Sequence, residues 1–174
     1  MTGQKMLTDA NRRLVFVPTI ADYHAPKVAT ELAATGVLEL SCAITAANFN
    51  LGASGDDEIK DPAYCASSNT SVPGRTNYVA EFEAFRYKDT VDDLVWTTIT
   101  GKGIHGYLVE RIGGIADGLK AHEVAFAAAD EVRVFEVISG TPQMLSPSTA
   151  GYEKQKLTWH VQENVDERAV VAAA

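Results

Sequence analysis

Residues Thr76–Lys88, TNYVAEFEAFRYK, decide the fold class. They are rich in aromatic and β-branched side chains over a length that suits a long strand. Tyr78, Phe82 and Arg86 share one face, while Val79, Glu81, Glu83 and Phe85 share the other. Upstream, Leu38, Leu40, Cys42 and Ile44 alternate with Glu39, Ser41, Ala43 and Thr45, the pattern of a half-buried strand over 37–45. Between the two strands runs a polar connection, Ala46–Arg75, with Asp56, Asp57, Glu58 and Asp61 clustered in it and Pro73-Gly74 as a closing turn. Structureless connections longer than roughly 12–15 residues are rare in compact domains unless they have a function or order on binding. This segment therefore points to assembly.

Outward from this centre, residues 1–13 read as a polar N-terminal arm and Leu14–Ile20 as a short strand ending near Pro18. Pro26–Ala34 suits a brief helical turn closed by Gly36. Asp89–Thr98 begins with an N-cap candidate and places Val91, Leu94 and Val95 at helical spacing, so one short amphipathic helix is expected. Gly103–Ile112, Glu131–Ser139 and Glu153–Gln162 read as strands, the last with Leu157, Trp159 and Val161 inward. Residues 166–174 read as a loose, Ala-rich C-terminal tail. About six strands and one helix predict a mainly β fold, a β-sandwich or partly closed barrel with one flanking helix and a long polar loop. The 174 residues suit a single domain, 1–174.

A hydrophobic fraction of 46% and a charged fraction of 22% are those of a globular protein. The formal net charge of −8 argues against a broad basic face that would condense on phosphates. It is compatible with a surface past which DNA slides, because like charges repel at short range. Met1–Lys5 lacks the layout of a secretory signal, and no window has the roughly 20 apolar residues of a membrane span, so a cytoplasmic site of synthesis with no membrane partner is expected. Cys42 reads as a small core residue and Cys65 as a loop residue; a disulfide between them is allowed but not favoured.

The chain offers little that could carry catalysis. Gly101–Gly106 matches G-x-G-x-x-G, but Gly113-Gly114 leaves no room for the helix whose N-terminus would hold a pyrophosphate, so glycine turns at a strand start explain it better. His24, His105, His122 and His160 stand at no recognised metal spacing. The acidic cluster lacks the alternation of an EF-hand loop. Glu81 and Glu83, on one strand face, read as surface charge for want of a second acid. No catalytic, cofactor-binding or metal-binding residue is expected, and no enzyme. A small β-fold ligand-binding domain or enzyme using the glycine run or the acidic loop is the alternative from another class.

The order PKVATEL, acidic DDEIKDPAYC, PGRTNY, VWTTITGKGIHGYLVERIG and DEVRVFEV resembles the major tail tube proteins of long-tailed, siphovirus-type bacteriophages, over about Leu14–Val165. Gly101-Lys102 stands where many relatives would have Gly-Thr. The resemblance implies a structural virion protein whose β-sandwich assembles into hexameric rings, stacked into a tube that conducts DNA during ejection. It implies self-association, with tape-measure, tail terminator and tail tip proteins as partners, no cofactor, and a place in the virion tail. It gives the loop 46–75, with Asp56, Asp57, Glu58 and Asp61, the role of a ring-stacking element that orders on contact. The polar faces carrying Glu39, Ser41, Glu81 and Glu83 are then candidates for the lumen. A tube subunit of a contractile or secretion machine, or a head-tail joining protein, is the alternative within the structural class.

Overall fold

The computed structural model describes residues 6–116, 118–146 and 151–173. Eight strands, β1 (Arg12–Val17), β2 (Leu38–Glu39), β3 (Asn50–Ile59), β4 (Val72–Phe85), β5 (His105–Ile112), β6 (Glu131–Ser139), β7 (Gln143–Met144) and β8 (Lys154–Val170), form one sheet. Their order is β2-β1-β5-β6-β8-β4-β3, with β7 on β8, and every pair is antiparallel.

The alternation of apolar residues explains why this sheet carries a core on each side. Leu14, Phe16, Leu108, Phe135, Val137, Phe82, Leu157 and Trp159 meet on one face. Val15, Val17, Tyr107, Val109, Val132 and Val134 meet on the other, covered by Ile20, Leu32, Phe126 and Val171 from the connections. Strands β1, β5 and β6 are thus buried on both sides, which is why they read as near-continuous apolar runs.

The sheet curls strongly about the first core. Phe16 on β1 meets Trp159 on β8 edge to face, with centroids 5.4 Å apart, although β5 and β6 lie between them in the ladder. A strap then joins the two sides: Leu40 N–H donates to Leu14 O at 2.9 Å, and Ile44 bridges Ala84 on β4. The ladder stays open, yet the core is enclosed in the sandwich-like, partly closed arrangement expected. The helix α1 (Leu94–Ile99) packs Val95 and Ile99 into this core. Asp93 stands at its N-cap without capping it, because its Oδ2 accepts from Arg86 Nε at 2.8 Å.

Several boundaries differ from the sequence reading. The strand expected over 37–45 stops after Glu39, since Ser41 Oγ accepts from Leu14 N–H at 2.8 Å and the chain turns, with Ala43 and Ile44 N–H both donating to Leu40 O. The turn rotates Cys42 out of the apolar face, so it is exposed rather than a core residue. The expected arm 1–13 is shorter: Arg12 and Arg13 belong to β1, and Ala10 O accepts from Ala121 N–H at 2.8 Å, while residues 1–5 lie outside those described. The expected tail 166–174 is docked as far as the described residues run. β8 continues to Val170 against β6, Val171 is buried, and Ala172 N–H donates to Pro26 O at 2.9 Å.

The largest difference is Ala46–Arg75. Instead of an irregular loop it holds β3 and the first residues of β4, paired from Asn50↔Glu81 to Ile59↔Val72. Pro73-Gly74 lies inside β4 rather than in a turn. Proline is tolerated there because β4 pairs with β8 only from Ala80 onward, leaving its second edge free.

Candidate assembly interface

The outer part of the β3–β4 hairpin projects from the body as an arm. From Ala53 to Asn77 every residue is exposed apart from the half-buried Gly74. Both faces of this ribbon meet solvent, and β3 ends the strand order, so its outer edge presents unpaired backbone groups. A two-stranded ribbon is marginal in water without a third strand or a packed face. Local polar contacts hold it: Thr76 Oγ1 donates to Asp56 Oδ1 at 2.6 Å, Asn77 Nδ2 to Asp57 Oδ1 at 2.8 Å and Ser54 Oγ to Asn77 O at 3.0 Å.

Asp56, Asp57 and Glu58 therefore sit together on β3, and Asp61 just past its end. Lys60 lies 2.7 Å from Glu58, and its hydrogen bond, with one from Ser71, holds the Glu58 carboxyl below the usual range. Register shifts at Ala53/Gly55 and Asp56/Glu58 kink this edge. Charges and bulges are the devices by which exposed edges resist indiscriminate pairing. The far end is apolar by contrast, with Ile59 opposite Val72 and Tyr64 wholly exposed.

Glu39, Ser41, Glu81 and Glu83 do not form one polar wall. Glu39 Oε2 accepts from Arg13 Nε at 2.8 Å and its Oε1 from Ser41 Oγ at 2.5 Å, with Arg13 stacked over Phe126 of the second core. Glu81 and Glu83 instead face away from the first core, opposite β8. There Lys156 Nζ lies 3.0 Å from Glu81, and Lys154 Nζ donates to Glu83 at 2.6 Å. Glu83 is only 8% exposed, so reading it as surface charge is corrected. The Lys154 hydrogen bond holds its carboxyl low against the opposing effect of burial. The outward β4–β8 surface is consequently a mixed-charge ladder of Glu81, Lys154, Lys156, Thr158 and His160 rather than an acidic strip.

Reactive geometry is sparse. Ile44 bridges Ala84 near one end of β4, and Cys65 lies beyond Val72 at the other. Twelve intervening strand residues place Cys42 and Cys65 on the order of 40 Å apart, far beyond disulfide reach. Gly101–Gly106 turns into β5, not a helix; Gly103 N–H donates to Ser139 O at 2.9 Å, and a Cβ on Gly106 would lie 2.3 Å from the Phe16 ring. His24 pairs with Asp166 at 2.5 Å and His105 with Glu136 at 2.6 Å, each a single contact. Among the described residues no group of three or more His, Cys, Asp or Glu converges as a metal site, and no helix is long and apolar enough to cross a membrane.

Sequence reasoning missed two buried cations. Arg111, 2% exposed, donates to Asp130 and to the carbonyls of Ala121, Val124 and Ala125, tying the segment before β6 to β5. Arg133 bonds to Glu110 and to the root of the arm. Only the arginine inside the apolar pattern of β6, EVRVFEV, hinted at the second.

A search of curated proteins returns no match. A family model described as Phage tail tube protein matches residues 1–174. Its members are structural components of the virion tail, not enzymes, and with an open-edged arm on a β body this chain belongs to the phage tail tube protein family.

Proposed function

We propose that this chain is the repeating subunit of the tube, of the long-tailed siphovirus type, that it closes into hexameric rings, and that the β3–β4 arm carries the contact between stacked rings. The observation that supports this reading most is the arm itself: a ribbon wet on both faces, with an open edge and an apolar end, gains far more from a neighbouring copy than from its own body. Asp56, Asp57, Glu58 and Asp61 select the partner by charge while Ile59, Val72 and Tyr64 supply the buried area. Tape-measure, terminator and tip proteins are the further partners this role requires.

The lumen in this reading is the β4–β8 ladder, where Glu81 alternates with lysines and Thr158. Paired charges leave few free donors to hold a phosphate backbone, so DNA passes without sequence-specific contact. Glu39 and Ser41, bound to Arg13 and β1, take no part in it.

Shortening the arm tests the stacking role. Ala53 and Tyr78 face each other in the ladder, so an Asn-Gly pair replacing residues 54–77 closes a tight hairpin at that register. The shortened chain should fold and remain unassembled by negative-stain microscopy. Normal tubes would remove the proposal.

A further inference from the structure

The sheet forks where the arm begins. β4 and β8 pair from Phe85↔Lys154 to Ala80↔Trp159 and then part, β8 following β6 through two register shifts while β4 leaves with β3. Side chains of β6 bridge the fork. Phe135 meets Tyr78 of β4 edge to face with centroids 6.2 Å apart, and the Arg133 guanidinium lies 5.0 Å over Phe135. From there Arg133 Nη2 donates to Leu51 O on β3 and to Glu167 on β8, each at 3.0 Å, while Nη1 donates to Glu110 at 2.7 Å. Glu110 is 1% exposed, and its other oxygen accepts from Arg12 Nη1 at 3.0 Å, so the carboxylate that orients Arg133 is itself fixed. The arm makes room for this contact: Gly52 has φ +143°, and a Cβ there would lie 2.5 Å from Arg133 Nη2.

We propose that Arg133, oriented by Glu110, is a positioning residue that latches the root of the arm and fixes the direction in which it leaves the body. Beyond Ala80 the β3–β4 ribbon has no ladder to β8, so its angle depends on side chains that span the fork. A planar guanidinium with donors in a fixed geometry can hold β3, β8 and the buried carboxylate at once; an ammonium at the same place could not. The consequence for assembly rests on the arm's proposed stacking role, whereas the latch itself does not.

Distance distributions from pulsed electron spin resonance test it, with labels on Arg75→Cys in the arm and Lys102→Cys in the body, in a Cys42→Ser/Cys65→Ser background. One narrow distribution is expected. Arg133→Met should broaden it at least twofold, and Arg133→Lys should fall between, with circular dichroism showing a folded protein. If the single Met variant does not fold, Arg133→Met/Glu110→Met decides, because removing both partners leaves no orphaned buried charge. Gly52→Ala, which displaces the guanidinium from the arm alone, should broaden the distribution as well. An unchanged width in the folded variants overturns the latch. Tube formation should slow by on the order of tenfold as fewer subunits hold the competent orientation. Broadened arms that assemble at the normal rate would leave the latch standing and count against the stacking role.

Discussion

Gln155 is fully buried, and both polar atoms of its amide are without a partner among the described residues. It sits on the inner face of β8 beside Leu157, where a methionine has similar volume and nothing to satisfy. Gln155→Met should therefore raise stability by about 1 kcal/mol, read as a higher urea midpoint with unchanged slope. Glu83 argues in the other direction, since Lys154 and Asn48 both bond to it. Glu83→Lys should cost about 2 kcal/mol by opposing two cations and stranding the amide, measured in the same titration. Acid reports on these carboxylates too. Lys154 depresses the folded-state pKa of Glu83; in Glu136 burial acts upward but is outweighed by bonds from His105 and Asn164. A depressed folded pKa stabilises the protein above the unfolded value, and that stability is lost as pH falls through the folded one. The melting temperature should thus drop as the pH is lowered below about 4.3, and Glu83→Gln should flatten that decline. At this scale Cys42 shows what pattern alone misses: its alternation was regular, but the hydroxyl of Ser41 captured β1 and turned the chain.

The elements legible in the sequence are those whose own side chains specify burial. β6 occupies Glu131–Ser139 as expected, and the long strand ending in EFEAF is β4, because alternating apolar residues needed a core on one side or both. β3 carried no such signal. NLGASGDDEI holds two glycines and three acids, residues disfavoured in strands, and it is extended because β4 continues past the body and offers it a ladder. β8 runs past its expected end for the same reason, templated by β6. Close packing between elements was equally invisible: Gly106 lets β5 approach Phe16 and the Val17 carbonyl, which an added Cβ would meet at 2.3 and 2.9 Å. Gly106→Ala should cost about 1–3 kcal/mol by overpacking, whereas Gly103→Ala meets no neighbour and should act only through its positive φ. Comparing their urea midpoints separates the two effects.

On the scale of the whole molecule, the body is complete and the arm is not. Two cores enclose β1, β5 and β6 on both sides, while the ribbon from Ala53 to Asn77 buries almost nothing. A tail tube must stop growing as free subunits and grow once docked. An element that gains its packing only from another copy provides that dependence, since ordering it opposes association until the neighbour covers it. Hydrogen exchange measures this directly, because an amide in an unsupported ribbon opens at little cost whereas one in a covered sheet does not. Amides of residues 53–59 and 72–77 should exchange orders of magnitude faster than those of β6 in the free subunit. In purified tails they should be protected to the level of the body. Equal exchange of the arm in free subunits and in tails would contradict the claim that another copy of the chain completes it.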